Sequence, residues 1–248
     1  MSIVVSDDVS HGVRVVEIRN PSRGNALTKP MLASLARAFD ARPRETTCVV
    51  VVGDASSRSF CTGIDLSAAA EVFATDEGAT RDDPVRAMEA CDAPIVGVAH
   101  GTCVNAGFEI LLACDVVFAR DDAMFKDTHA QIGILPSWGL SVKLSRAIGS
   151  NAARACSVFG EAIDATRARA LGLTTGTPRA TAREARDDAM AFARRVKALP
   201  GAKGIKRAIR DGLDIAGVRA EERRRAFANY RDAAREKFAA FNHARSKL

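Results

Sequence analysis

One stretch of the chain sets backbone donors, small residues and a carboxylate close together: Ala99-His100-Gly101-Thr102-Cys103-Val104-Asn105-Ala106-Gly107-Phe108-Glu109. If Asn105 caps the helix that follows, Ala106 is its first residue, and its N–H is an orphan donor at the positive end of the macrodipole. Such a donor is suited to holding an oxyanion. Glu109 falls in the same first turn. A first-turn acid is favourable in any helix, yet the apolar setting Gly107-Phe108-Glu109-Ile110-Leu111-Leu112 argues for a working carboxylate rather than a solvated one. Upstream lies Ser59-Phe60-Cys61-Thr62-Gly63-Ile64-Asp65-Leu66. There Gly63 permits a sharp turn, after which the N–H of Ile64 points outward instead of into a ladder. Taken alone, that segment also reads as an ordinary loop with Asp65 capping a helix. A third segment, 125–140, contains His129 and Trp138, the only tryptophan. A lone histidine is more often structural than catalytic.

The elements that must position these groups are legible as periodicity. Residues 13–18 alternate moderately and are rich in β-branched types, while 48–52, 95–99 and 116–119 are continuous apolar runs, as expected of buried strands. Helical patterns at 31–39, 85–91 and 107–114 lie between them. Strand and helix alternate, which predicts α/β layering with parallel pairing. Beyond Pro136 only 173–177 reads as a strand; helices are expected near 138–148, 150–158, 181–198, 202–212 and 218–241.

With 248 residues, 47% of them hydrophobic, the chain can bury a sizeable core as one globular unit. The acidic N-terminus does not read as a secretory signal, and no run approaches the roughly 18 apolar residues of a membrane span, so a soluble, non-secreted protein is expected. Six cysteines without a CxxC pair predict reduced core thiols, with no disulfide and no zinc. The formal charge of +6 suits either nucleic acid or a substrate bearing phosphates. Glu221-Glu222-Arg223-Arg224-Arg225 interleaves both signs at helical spacing and reads as a solvated helix face. Ser246-Lys247-Leu248 matches the address read by the peroxisomal import receptor, predicting a location in the peroxisomal matrix.

These segments resemble the crotonase superfamily, also called the enoyl-CoA hydratase/isomerase family, over nearly the whole chain. Arg23-Gly24-Asn25-Ala26-Leu27 looks like its Asn-Ala-Leu motif, 59–66 its first oxyanion segment, 101–115 its second, and 133–139 its Gly-x-x-Pro-x-x-Gly stretch. The run Asp127-Thr128-His129-Ala130, then Pro136-Ser137-Trp138-Gly139-Leu140-Ser141 and the terminal tripeptide, looks closest to plant-type peroxisomal enoyl-CoA hydratases. The resemblance implies a crotonase-like spiral of ββα units: a core over 1–190 that holds the active site, and a helical region over 191–248 that assembles a homotrimer or a dimer of trimers. It implies that the N–H groups of Ile64 and Ala106 form an oxyanion hole for an acyl-CoA thioester. Ala26, Leu27, Gly63, Asp65, Leu66 and Ser67 would line the substrate path, and Phe238 and Phe241 of a neighbouring subunit would touch the nucleotide. No cofactor is implied, because coenzyme A is part of the substrate, and neither a nucleic acid nor a membrane partner is expected.

Two departures bear on the chemistry. Asn105-Ala106-Gly107 stands where the family commonly has three glycines, so Ala106 must present its N–H from a helical φ. His129 stands where hydratases carry a second glutamate. The expected reaction is hydration of a trans-2-enoyl-CoA in fatty-acid β-oxidation, with Glu109 as base for water and His129 as acid or water-orienting partner. The alternatives are Δ3,Δ2-enoyl-CoA isomerisation, which needs only one shuttling group, and a crotonase-fold RNA-binding protein.

Overall fold

The computed structural model describes residues 1–65, 72, 83–212, 217, 219, 220, 222–224, 226 and 227. Leu66, Ser67, Phe238, Phe241 and the tripeptide Ser246-Lys247-Leu248 lie outside the described residues.

The chain opens with an antiparallel hairpin, β1 (Ser2–Asp8) and β2 (Val13–Arg19). After α1 (Lys29–Asp40) come β3 (Cys48–Gly53) and β4 (Ser59–Cys61), and then α2 (Pro84–Ala90). The pattern repeats as β5 (Ile95–Ala99), β6 (Thr102–Val104) and α3 (Ala106–Leu112), and again as β7 (Val116–Ala119), β8 (Met124–Lys126) and α4 (His129–Ile132). In each repeat the first strand joins one sheet, of order β1-β2-β3-β5-β7, and the second joins another, of order β4-β6-β8-β9. Every repeat therefore advances both sheets by one parallel strand, which makes the spiral of ββα units that the resemblance implied.

The apolar run of β3 is buried on both faces because two cores meet there. Val49 and Val51 point into the larger core with Leu35, Phe39 and Phe60. Val50 and Val52 point the other way, with Val96, Val98 and Phe118. Helix α8 (Ala182–Arg195) closes that second face with Ala185, Ala189 and Ala193, each fully buried. Alanine at every fourth position lets the helix lie close on the sheet. A capping box starts it, with Glu184 N–H donating to Thr181 Oγ1 at 3.2 Å and Thr181 N–H to Glu184 Oε2 at 3.0 Å. The 190/191 division drawn from the sequence falls inside this helix.

Helices α5 (Leu140–Ile148) and α6 (Ser150–Ser157) follow, then β9 (Ile163–Asp164), α7 (Ala165–Ala170) and, beyond α8, α9 (Ala202–Gly212). The strand expected at 173–177 is not formed. Gly172 and Gly176 both have positive φ, and the segment only brushes the first sheet, Thr175 N–H donating to Val117 O at 2.6 Å. The short strands β4, β6, β8 and β9 carried no periodic signal, because two or three residues are too few to show alternation. All six cysteines are free thiols, and five are buried. Among the described residues, no helix is long and apolar enough to cross a membrane.

Candidate active site

The site begins with a tight joint between β2 and β4. Asn25 is fully buried at φ 57°, a left-handed conformation that asparagine tolerates. Its Oδ1 accepts from Asn20 N–H at 2.9 Å and its Nδ2 donates to Ser59 O at 2.9 Å, so Ala26 and Leu27 are aimed at the segment after β4. There Leu27 N–H donates to Gly63 O and Asp65 N–H to Leu27 O, each at 2.8 Å. A parallel bridge in this register leaves the N–H of Ile64 on the far side from Leu27. Asp65 is buried and pairs with Arg23 at 3.3 Å; the helix that it is expected to cap would begin outside the described residues.

Gly63, at φ 100°, turns that segment toward the start of α3: a β-carbon here would lie 3.3 Å from Val104 O and 3.8 Å from Ala106 N. From the other side, a β-carbon on Gly107 would lie 2.3 Å from Cys61 O. Only glycine lets the first turn of α3 press against the end of β4. Asn105 occupies the N-cap position but does not cap with its side chain. Its Oδ1 accepts from Thr128 N–H at 2.8 Å and its Nδ2 donates to Thr128 Oγ1 at 2.8 Å, which ties the α3 terminus to the turn before α4. Ala106 is the first residue of α3 and buried, and its N–H is one of the orphan donors of that helix end.

Glu109 is 3% exposed. Its Oε1 accepts from Trp138 N–H at 2.8 Å and from Leu140 N–H at 3.4 Å, so the N-terminus of α5 holds the carboxylate of α3 in place. Burial pushes its pKa above the ordinary glutamate value, against the opposing pull of His129 and the Trp138 N–H. The Gly-x-x-Pro-x-x-Gly stretch and the residue after it thus work through backbone donors. A motif reading centred on side chains does not register them.

His129 is buried, and its Nδ1–H donates to Asp127 Oδ1 at 2.6 Å. Burial disfavours its charge, but the Asp127 hydrogen bond and carboxylate, with Glu109 and Glu222, outweigh it and raise the pKa. Burial likewise disfavours the charge of Asp127, yet His129 draws its pKa below the ordinary value. His129 is therefore one half of a buried pair with Asp127.

Glu222 corrects a further expectation. Segment 221–225 reads as a solvated helix face, but Glu222 is partly buried and its charge is felt at both Glu109 and His129. Arg219 donates to Asp83 and Glu89 of the α2 region, and Arg223 donates to Asp83 at 3.0 Å. Lys143 of α5 meets Glu89 at 2.6 Å. Among the described residues no group of three or more His, Cys, Asp and Glu is placed to hold a metal ion.

A sequence profile described as enoyl-CoA hydratase/isomerase matches residues 8–225. A protein of Arabidopsis thaliana named probable enoyl-CoA hydratase 1, peroxisomal, is 40% identical over 233 residues, spanning 92% of this chain and 87% of its own. A crystal structure of an enoyl-CoA hydratase/isomerase from Pseudoalteromonas atlantica superposes with a TM-score of 0.85 at 26% identity, over 98% of each chain. A Mycobacterium avium enoyl-CoA hydratase gives 0.83 at 27% identity, over 96% of each. The spiral of paired strands, the two donor-bearing turns and these likenesses agree: the chain belongs to the enoyl-CoA hydratase/isomerase family.

Proposed function

We propose that the protein hydrates trans-2-enoyl-CoA thioesters, holding the thioester oxygen between the N–H groups of Ile64 and Ala106. The observation that carries this reading is the convergence of two turns and one carboxylate. Gly63 and Gly107 bring the Ile64 and Ala106 segments together, and Glu109 sits one turn along α3, fixed by two N–H donors. As water attacks C3, Glu109 takes its proton and the electron pair moves onto the thioester oxygen, where the two N–H groups meet the developing charge. The raised pKa of Glu109 suits a base working near neutral pH. The Asp127-held His129 orients the water or returns a proton to C2. Hydration is favoured over Δ3,Δ2 isomerisation because the site gathers several titratable groups, where isomerisation needs one.

Arg14, Arg42, Lys143, Lys206 and Arg219 are each engaged in an ion pair, which takes those five cations out of any basic binding stripe. Coenzyme A enters as part of the substrate, with Ala26, Leu27, Gly63 and Asp65 along its path. Assembly through the region 191–248 into a trimer or dimer of trimers is supported by Ile205 and Ile209, both 62% exposed one turn apart on α9. A peroxisomal location is supported by the name of the Arabidopsis relative and by Ser246-Lys247-Leu248. A fluorescent fusion with and without that tripeptide tests it.

The deciding experiment follows loss of the conjugated-thioester absorbance across a chain-length series of trans-2-enoyl-CoAs. Hydration by wild type and its loss in Glu109→Gln uphold the reading. No turnover at any length, with conversion of 3-enoyl-CoAs instead, overturns it in favour of isomerisation.

A further inference from the structure

We infer that Glu222 is the second carboxyl of this active site, delivered from the C-terminal segment to do the work for which position 129 holds a histidine instead of a glutamate. The inference rests on the hydratase reading above and deepens it.

The described residues from 217 to 227 are helical, and their exposure divides by face: Gly217, Ala220 and Arg224 are exposed, whereas Arg219, Glu222, Arg223 and Ala226 turn inward. Two anchors set the rotation of that face. Arg219 and Arg223 pair with Asp83, whose side chain is fully buried at the start of α2. Ala226 is fully buried one turn further along. Arg219 also runs beside Gly139, where a β-carbon would lie 3.8 Å from its Cδ, and Gly139 sits between the two N–H donors that hold Glu109. The turn carrying Glu222 is thus docked on the same backbone that positions the base.

Both carboxylate oxygens of Glu222 are buried, and they face the hydroxyl and N–H of Ser141 on α5 together with Glu109 and His129. A carboxyl buried beside a second carboxyl costs stability and calls for a reason such as a catalytic role. Its surroundings supply one. Burial first, and then the nearby Glu109 carboxylate, push its pKa up to about 7, with Ser141 and His129 pulling the other way. The charged groups around the pair are Glu109 on α3, His129 and Asp127 at α4, Lys143 on α5, and Asp83 and Glu89 at α2, with Arg219 and Arg223 on its own segment. Two carboxyls that share a buried site can serve as base and acid in one reaction.

The steps balance without any further reactant. Glu109 accepts a proton from water as oxygen bonds to C3, the C2–C3 π pair shifting to leave an enolate on the thioester oxygen. The enolate collapses as C2 takes the proton of Glu222, giving the 3-hydroxyacyl-CoA. Glu109 is then protonated and Glu222 ionised, and a proton passing from one to the other through water restores the start. The Asp127–His129 pair orients the water.

Glu222→Gln, Glu222→Asp and His129→Ala in the full chain test this, with hydration measured across pH and C2 proton exchange of a saturated acyl-CoA measured in D2O by mass spectrometry. Exchange reads proton transfer at C2 whether or not water adds to C3. The expected result is a loss of both rates in Glu222→Gln by about 10²- to 10⁴-fold, the range for one general acid. The pH limb belonging to the acid disappears, Glu222→Asp recovers part of the rate, and circular dichroism and Tm show folded protein throughout. Rates within threefold of wild type and an unchanged pH profile overturn the inference while leaving hydration standing. If wild type exchanges C2 protons without hydrating, the hydratase reading fails, and the exchange rate of Glu222→Gln still decides the role of Glu222. If wild type does neither, both fall.

Discussion

Gly107→Ala separates the backbone donors from the side-chain chemistry. The added β-carbon would stand 2.3 Å from Cys61 O, 2.8 Å from Cys61 Cβ and 2.9 Å from the Cys61 carbonyl carbon. Carbon atoms in contact settle about 3.5–4.0 Å apart, so the first turn of α3 must withdraw from β4 by about 1 Å. That movement carries the Ala106 N–H away from the Ile64 segment. A 1 Å misplacement can cost about 10²-fold in rate, and loss of a single oxyanion donor about 10²- to 10³-fold. The expected fall in kcat is therefore at least about 10²-fold, equivalent to about 2.7 kcal/mol of transition-state stabilisation. Overpacking adds about 1–3 kcal/mol of lost stability. The assay is the absorbance of a trans-2-enoyl-CoA over a substrate range, with thermal melts to confirm folding. Gly204→Ala is the control, because a β-carbon there meets nothing within 4 Å. A folded Gly107→Ala protein with kcat within threefold of wild type would show that the contact with Cys61 does not set the donor geometry.

Other outcomes follow from the same geometry. The control itself should gain about 0.4–1 kcal/mol of stability, since Gly204 lies inside α9 at an exposed position where alanine restricts only the unfolded chain; an unchanged or lower Tm counts against it. Asp127→Asn removes the largest of the groups that raise the pKa of His129, so any His129-dependent limb of the pH–rate profile moves to lower pH. A limb that stays in place rules out that pairing. Because folding raises the Glu222 pKa from 4.5 to about 7, the folded state holds that proton more tightly than the unfolded chain. Its contribution is fully present below the unfolded value and is lost as pH rises through about 7. Glu222→Gln should then gain on wild type between pH 4 and pH 8 by about 2–3 kcal/mol in urea titrations, and an equal difference at both pH values refutes it. Ile205→Lys with Ile209→Lys should lower the oligomeric mass by light scattering while each subunit keeps its fold; an unchanged mass shows that this stripe is not an interface.

The sequence alone determined the parts of this protein that depend on local pattern. Strands β3, β5 and β7 announce themselves as apolar runs because both of their faces are buried, and α3 is marked by small residues followed by an apolar turn. Glu109 stands out because a carboxylate in that setting is anomalous, and Ala106 because helix termini carry orphan donors whatever surrounds them. Other features reach across the fold, and only the tertiary structure decided them. The short strands of the second sheet exist because parallel neighbours complete them. The hold on Glu109 comes from the N-terminus of α5, through N–H groups that every residue but proline possesses. His129 becomes one of a pair only when the fold sets it against Asp127 in the interior. Glu222 is the clearest case. Alternating charges at helical spacing look the same whether they face solvent or a neighbour, and only the docking of Arg219 and Arg223 onto Asp83 turns that carboxyl inward. Local pattern fixes which residues are anomalous, whereas the packing of distant segments fixes which of them meet.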